Sequence, residues 1–145
     1  MALEEPKAAS RQSPSPTQKR ILCAEDDPAI ADLLARILQS AGYLVECVPD
    51  GIDAWIKISG DLGYFHAVIT DHQMPGLDGA ELVNVLREAK YPGRILVHSS
   101  SLSKVDELRY QSLRVDGVLE KPVEAKSLLA VLRKVLADSP DPSEH

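Results

Sequence analysis

Residues 67–79 read AVITDHQMPGLDG: a short apolar run, Ala67-Val68-Ile69-Thr70, ends in Asp71, and a turn-forming stretch with Pro75, Gly76 and Gly79 follows at once. A carboxylate placed where a buried strand stops and a Pro/Gly turn begins is held rigidly yet can meet solvent. Alone it would be an ordinary turn acid. A second run, Ile21-Leu22-Cys23-Ala24, also ends in acid, Glu25-Asp26-Asp27. If both runs are strands of one parallel sheet, their carboxyl ends share an edge and the carboxylates converge.

The pattern around them supports such a sheet. Apolar runs recur at Ile21–Ala24, Leu44–Val48, Ala67–Thr70, Arg94–Ser99 and Gly117–Glu120. They are short, continuous and rich in Val, Ile and Leu, as strands buried on both faces are. Helical patterns fill the gaps. Ile30, Leu33, Leu34, Ile37, Leu38 and Ala41 follow the spacing of one helix face, opened by Asp27-Pro28 and closed by Gly42. Leu128, Val131, Leu132, Val135 and Leu136 form an equally clear last helix. Weaker patterns cover Ile52–Ile58, Ala80–Ala89 and Val105–Val115, where Tyr110-Gln111-Ser112 blurs the apolar face of the last. Five strands alternating with five helices predict an α/β sandwich of flavodoxin-like (βα)5 type, a parallel sheet in the order 2-1-3-4-5 with helices on both faces. Ligands of such sheets bind at the carboxyl ends of strands near the switch point, where Glu25, Asp26 and Asp71 fall.

The 145 residues suit one domain, and 44% hydrophobic with 26% charged residues is ordinary for a soluble globular chain. Residues 1–18 are rich in Pro, Ser and charge and read as a disordered tail, as do residues 139–145; the domain proper is expected over 19–138. A formal net charge of -6, with no Lys/Arg block, argues against direct nucleic-acid binding. No apolar stretch approaches the roughly 20 residues that span a bilayer, and no signal core opens the chain. Cys23 and Cys47 sit in strand-like runs and are expected to be buried reduced thiols of a cytoplasmic protein.

Crowded carboxylates repel unless a cation compensates, and the natural compensator is a hard divalent ion such as Mg²⁺ with oxygen ligands. No His/Cys set with zinc spacing competes. Lys121, in Glu120-Lys121-Pro122, brings an ammonium to the same edge, and Ser99 and Ser100 bring hydroxyls. Acids with a metal, a nucleophilic Asp, a hydroxyl and a lysine together suit phosphoryl transfer onto aspartate.

Four segments, ILCAEDDP, HAVITDHQMPGLDG, RILVHSSS and GVLEKPV, resemble in order and separation the signature segments of response regulator receiver domains of two-component signalling. The resemblance implies Asp71 as phosphoacceptor and Glu25 and Asp26 as the acid pair for Mg²⁺, with the Gln73 backbone carbonyl as a further ligand. It implies Ser99 as the hydroxyl that follows the phosphoryl group and Lys121 as its ion-pair partner, and a cis Lys121-Pro122 bond. It also implies a partner, a histidine kinase or histidine phosphotransfer protein, and a phosphorelay role that alters binding to a downstream protein target. Homodimerisation is left open, as is the choice between a stand-alone regulator and a piece of a longer protein such as a hybrid kinase.

Three positions depart from the family's commonest pattern. Glu25 replaces an Asp, Ser99 stands where Thr is commoner, and Val118 occupies a place often held by Tyr or Phe. A valine has one strongly preferred rotamer and little reach, so the aromatic half of the usual switch is missing. Asp27 reads as a helix cap, His98 as a packed core histidine, His72 as an exposed loop residue, and Trp55 as an anchor against the sheet. A phosphorylation-independent interaction module is the alternative function, to which Val118 gives weight. A phosphatase that forms an aspartyl phosphate would carry an acid two residues after Asp71, where Gln73 stands. A nucleotide-binding domain would offer glycines, not Glu25-Asp26-Asp27, at the first turn.

Overall fold

The computed structural model describes residues 18–137. Both expected tails and Asp138 lie outside the described residues, Gln18 excepted. The strands are β1 (Arg20–Ala24), β2 (Leu44–Val48), β3 (Ala67–Asp71), β4 (Arg94–Ser99) and β5 (Gly117–Glu120). They alternate with α1 (Pro28–Ser40), α2 (Gly51–Gly60), α3 (Gly79–Glu88), α4 (Lys104–Ser112) and α5 (Ala125–Ala137). All pairings are parallel and the order is β2-β1-β3-β4-β5, as the alternation predicts.

The helices start where short polar side chains replace the missing backbone acceptors. Asp27 accepts from the Ala29 N–H at 2.9 Å, which makes it the cap expected of it, and Gly42 after the helix takes φ +95°. Asp78 and Glu81 form a reciprocal capping box at the head of α3, and Ser103 caps α4. Strand alternation then sorts the core into two layers. Leu22, Val68, Ile95 and Val97 face α2, α3 and Tyr110 of α4, with Trp55 packed at the margin. Ile21, Cys23, Ile69 and Leu96 face Leu34 and Leu38 of α1 and Leu128, Leu132 and Leu136 of α5.

Burial on both faces holds for the central strands β1, β3 and β4 and fails for the two outer ones. The reason is position in the sheet: β2 and β5 have a neighbour on one side only, so helices cover them incompletely. Cys47, on β2, is consequently exposed, whereas Cys23 on β1 is fully buried. Tyr110, which blurred the apolar pattern of α4, is instead its buried anchor, while Val105 and Leu108 face outward.

Candidate functional site

Three central strands deliver the predicted side chains to one edge. Glu25 prolongs β1, its N–H donating to the Val48 carbonyl at 3.0 Å. Asp71 is the last residue of β3 and pairs in register with His98 of β4. Lys121 follows β5 and donates its N–H to the Ser99 carbonyl at 2.9 Å, which fixes where its side chain begins. The Lys121-Pro122 bond is cis, as expected. Glu25, Asp26, Asp71, Gln73, Ser99 and Lys121 all line one open cleft of about 380 Å³.

Within the cleft the Lys121 Nζ lies 3.1 Å from Asp71 Oδ1 and 3.3 Å from Glu25 Oε1. Burial pulls the ammonium down, but hydrogen bonds and charges from Asp71 and Glu25 outweigh it and hold its pKa above the usual value. Glu25 is almost fully enclosed. Its longer side chain folds inward, so that Oε2 accepts the Asp27 N–H at 3.0 Å while Oε1 points at Lys121. Burial raises its pKa; the Asp27 N–H opposes this, the Asp71 charge adds to it, and Lys121 opposes it. One cation therefore faces two carboxylates. Asp26 and Gln73, by contrast, are exposed at the rim. The Ser99 hydroxyl is engaged with its own loop, donating to the Ser101 carbonyl at 2.9 Å.

His98 is buried as expected but does more than fill space. Its Nε2 lies 3.4 Å from Glu25 Oε1, and neither atom has a hydrogen bond of good geometry. Burial lowers its pKa to about 4, with Asp71 raising and Lys121 lowering it, so the ring is neutral at neutral pH. Donor atoms of Glu25, Asp71 and His98 lie within 4.8 Å of one another. The cleft thus has the oxygen-rich, anionic lining a hard cation needs.

His72 departs from expectation. It is not exposed: its Nδ1 lies 2.6 Å from the Tyr110 hydroxyl and its Nε2 3.3 Å from Asp106. The His72 N–H donates to the His98 carbonyl, and the His72 carbonyl accepts the Gly79 N–H. Gly79 must lack a side chain, because a Cβ there would stand 2.5 Å from the Asp71 carbonyl and 2.8 Å from the Tyr110 hydroxyl. The loop that follows Asp71 is thereby tied to α4. Sequence reasoning missed this group, since His72 and Tyr110 stand 38 residues apart with no periodicity linking them. Val118 is exposed on β5 and, with Ser99, Ser101, Tyr110 and Val115, lines a groove of about 360 Å³.

Comparison with known proteins agrees with this architecture. Residues 21–133 match the family model of the response regulator receiver domain. The transcriptional regulatory protein TcrA of Mycobacterium tuberculosis is 32% identical over 140 residues, covering 87% of this chain and 54% of TcrA. The response regulator MprA of Mycobacterium ulcerans is 35% identical over 117 residues, covering 81% of this chain and 50% of MprA. The chain thus spans about half the length of the curated relatives it matches. Among solved structures, the chemotaxis protein CheY4 of Vibrio cholerae superposes with a TM-score of 0.74 at 29% identity, covering 82% of this chain and 99% of CheY4. Among the described residues, no helix is long and apolar enough to cross a membrane.

Proposed function

The chain belongs to the response regulator receiver family of phosphorelay signalling, and on that premise we propose that Asp71 is its phosphoacceptor. The donor is a phosphohistidine on a histidine kinase or histidine phosphotransfer protein. An Asp71 carboxylate oxygen attacks phosphorus, the N–P bond breaks, and the donor imidazole leaves with a proton. The observation that carries this reading is the Lys121 ammonium set 3.1 Å from Asp71 in an otherwise acidic cleft. It holds the carboxylate in one orientation and offers a cation to the product.

Glu25, Asp26, Asp71 and the Gln73 carbonyl are the groups we assign to Mg²⁺, Glu25 from within the cleft and Asp26 and Gln73 from its rim. The ion, when bound, neutralises the crowded carboxylates and offers phosphoryl oxygens a hard cationic partner. Ser99 then exchanges its Ser101 acceptor for a phosphoryl oxygen. The chain acts as a switch rather than an enzyme with turnover of its own. Phosphorylation adds nearly two negative charges beside the His72–Tyr110–Asp106 contacts, and we assign to these the link to α4 that an aromatic at Val118 would otherwise provide. The output is altered binding of a downstream protein at β5 and its flanking helices.

Incubation with acetyl phosphate and Mg²⁺, followed by intact mass measurement, tests the assignment. Wild type should gain one phosphoryl group and Asp71→Asn none. A second reading, an interaction module independent of phosphorylation, is favoured by Val118 alone. It would prevail if wild type stayed unmodified yet still captured its partner.

A further inference from the structure

Cys23 and Cys47 stand directly opposite each other on β1 and β2, in register across the parallel pair. Sequence separation gave no hint of this, because the two are joined only through α1. We propose that they form a thiol pair that a hydroperoxide converts to an intramolecular disulfide, with Cys47 as the entry point. Three observations carry this.

First, geometry permits it. Neighbouring strands lie ~4.8 Å apart, inside the ~4.4–6.8 Å that Cα atoms of a disulfide span. The strand β2 is paired on one side only. Second, both side chains lie on the face of the sheet that α1 covers: Cys23 packs with Leu34 and Leu38, and the Cys47 Sγ lies 3.7 Å from the Ala31 carbonyl. Third, their environments divide the roles. Cys47 is exposed and Cys23 is fully buried. The neighbouring Cys23 also lowers the Cys47 pKa, against the effect of burial and Asp32. A thiolate is the reactive form, so attack begins at Cys47.

The steps balance. The Cys47 thiolate attacks the peroxide O–O bond, giving the sulfenic acid and releasing hydroxide (or alkoxide). The Cys23 thiol then attacks that sulfur, closing the S–S bond and expelling water; the two sulfurs are oxidised and the peroxide is reduced. The crosslink would bind the edge strand to β1 two residues before Glu25.

Treating the full chain with a small excess of hydrogen peroxide, then blocking free thiols under denaturing conditions and mapping peptides by mass, decides the matter. Wild type should become two hydrogen atoms lighter, with the Cys23 and Cys47 peptides joined. Cys47→Ser, altered at an exposed site, and Cys23→Ala should each abolish the species. Asp71→Asn should form it as wild type does, which separates this result from the fate of the phosphoacceptor assignment. Oxygen added at Cys47 with Cys23 still open to alkylation would overturn the proposal. So would a crosslink found only between two chains.

Discussion

His98→Leu tests the electrostatics of the acidic edge more directly than any active-site truncation. In the folded chain His98 is neutral, its pKa lowered by burial to about 4 from the usual 6.5. In the unfolded chain it takes up a proton as pH falls through its ordinary range. A depressed folded pKa means that the stability contribution is fully present above 6.5 and is lost as pH falls toward 4. Linkage between these values gives a loss of about 2 kcal/mol on going from about pH 7 to about pH 5. With urea m-values of ~1–3 kcal/mol/M, that shifts the unfolding midpoint by about 1 M. Glu25 works in the opposite direction, because burial raises its pKa and its contribution fades as pH rises. Both proteins keep Glu25, so the wild-type-minus-variant difference reports the imidazole together with any change it makes in the burial of Glu25, 3.4 Å away. Urea unfolding with a chelator present, followed by the fluorescence of Trp55, is the assay. Parallel pH profiles for the two proteins would refute the reasoning, since they would mean that His98 gains its proton as readily in the fold as outside it.

Other substitutions probe neighbouring contacts. Tyr110→Phe removes the hydroxyl 2.6 Å from His72 Nδ1 and should cost about 1–2 kcal/mol in urea unfolding by leaving that nitrogen under-bonded. Lys121→Met takes away the only cation placed between Asp71 and Glu25 among the described residues. Loss of a charge-assisted contact of ~1.5–3 kcal/mol should slow acetyl phosphate labelling about tenfold or more, read by mass against time. Gly79→Ala forces a Cβ to within 2.5 Å of the Asp71 carbonyl and should lower stability by about 1–3 kcal/mol in thermal unfolding.

Much of the molecule was legible in its sequence for one physical reason: strands enclosed on both sides must be apolar throughout. Ile21–Ala24, Ala67–Thr70 and Arg94–Ser99 announce themselves in that way, and the polar residue that ends each run marks the carboxyl edge. The order of the sheet follows from the alternation. What could not be read were contacts set by which helix lands over which strand. The predicted order already makes β2 an outer strand, but not which of its residues the helices leave uncovered, so the exposure of Cys47 came only with the fold. His72 carries no periodic signal, and Tyr110 interrupts one. Their meeting depends on α4 crossing the β3–α3 loop. Similarly, Glu25 reads as a longer Asp, and only the packing of His98 and Lys121 shows that it folds inward.

The sheet divides the interior into two fillings that form separate clusters, Leu22 to Tyr110 on one side and Ile21 to Leu136 on the other. Truncating Leu38 in one and Leu86 in the other should therefore be additive to within about 0.5 kcal/mol, as for sites with no common partner. Each side can drift in composition without consulting the other. At the rim, Asp71 and His72 are consecutive residues of one chain with different partners: the carboxylate meets Lys121, and the imidazole meets Tyr110 of the α2/α3 layer. A single peptide unit there joins the carboxylate of the cleft to the anchor of α4, so a change at either is one bond from the other.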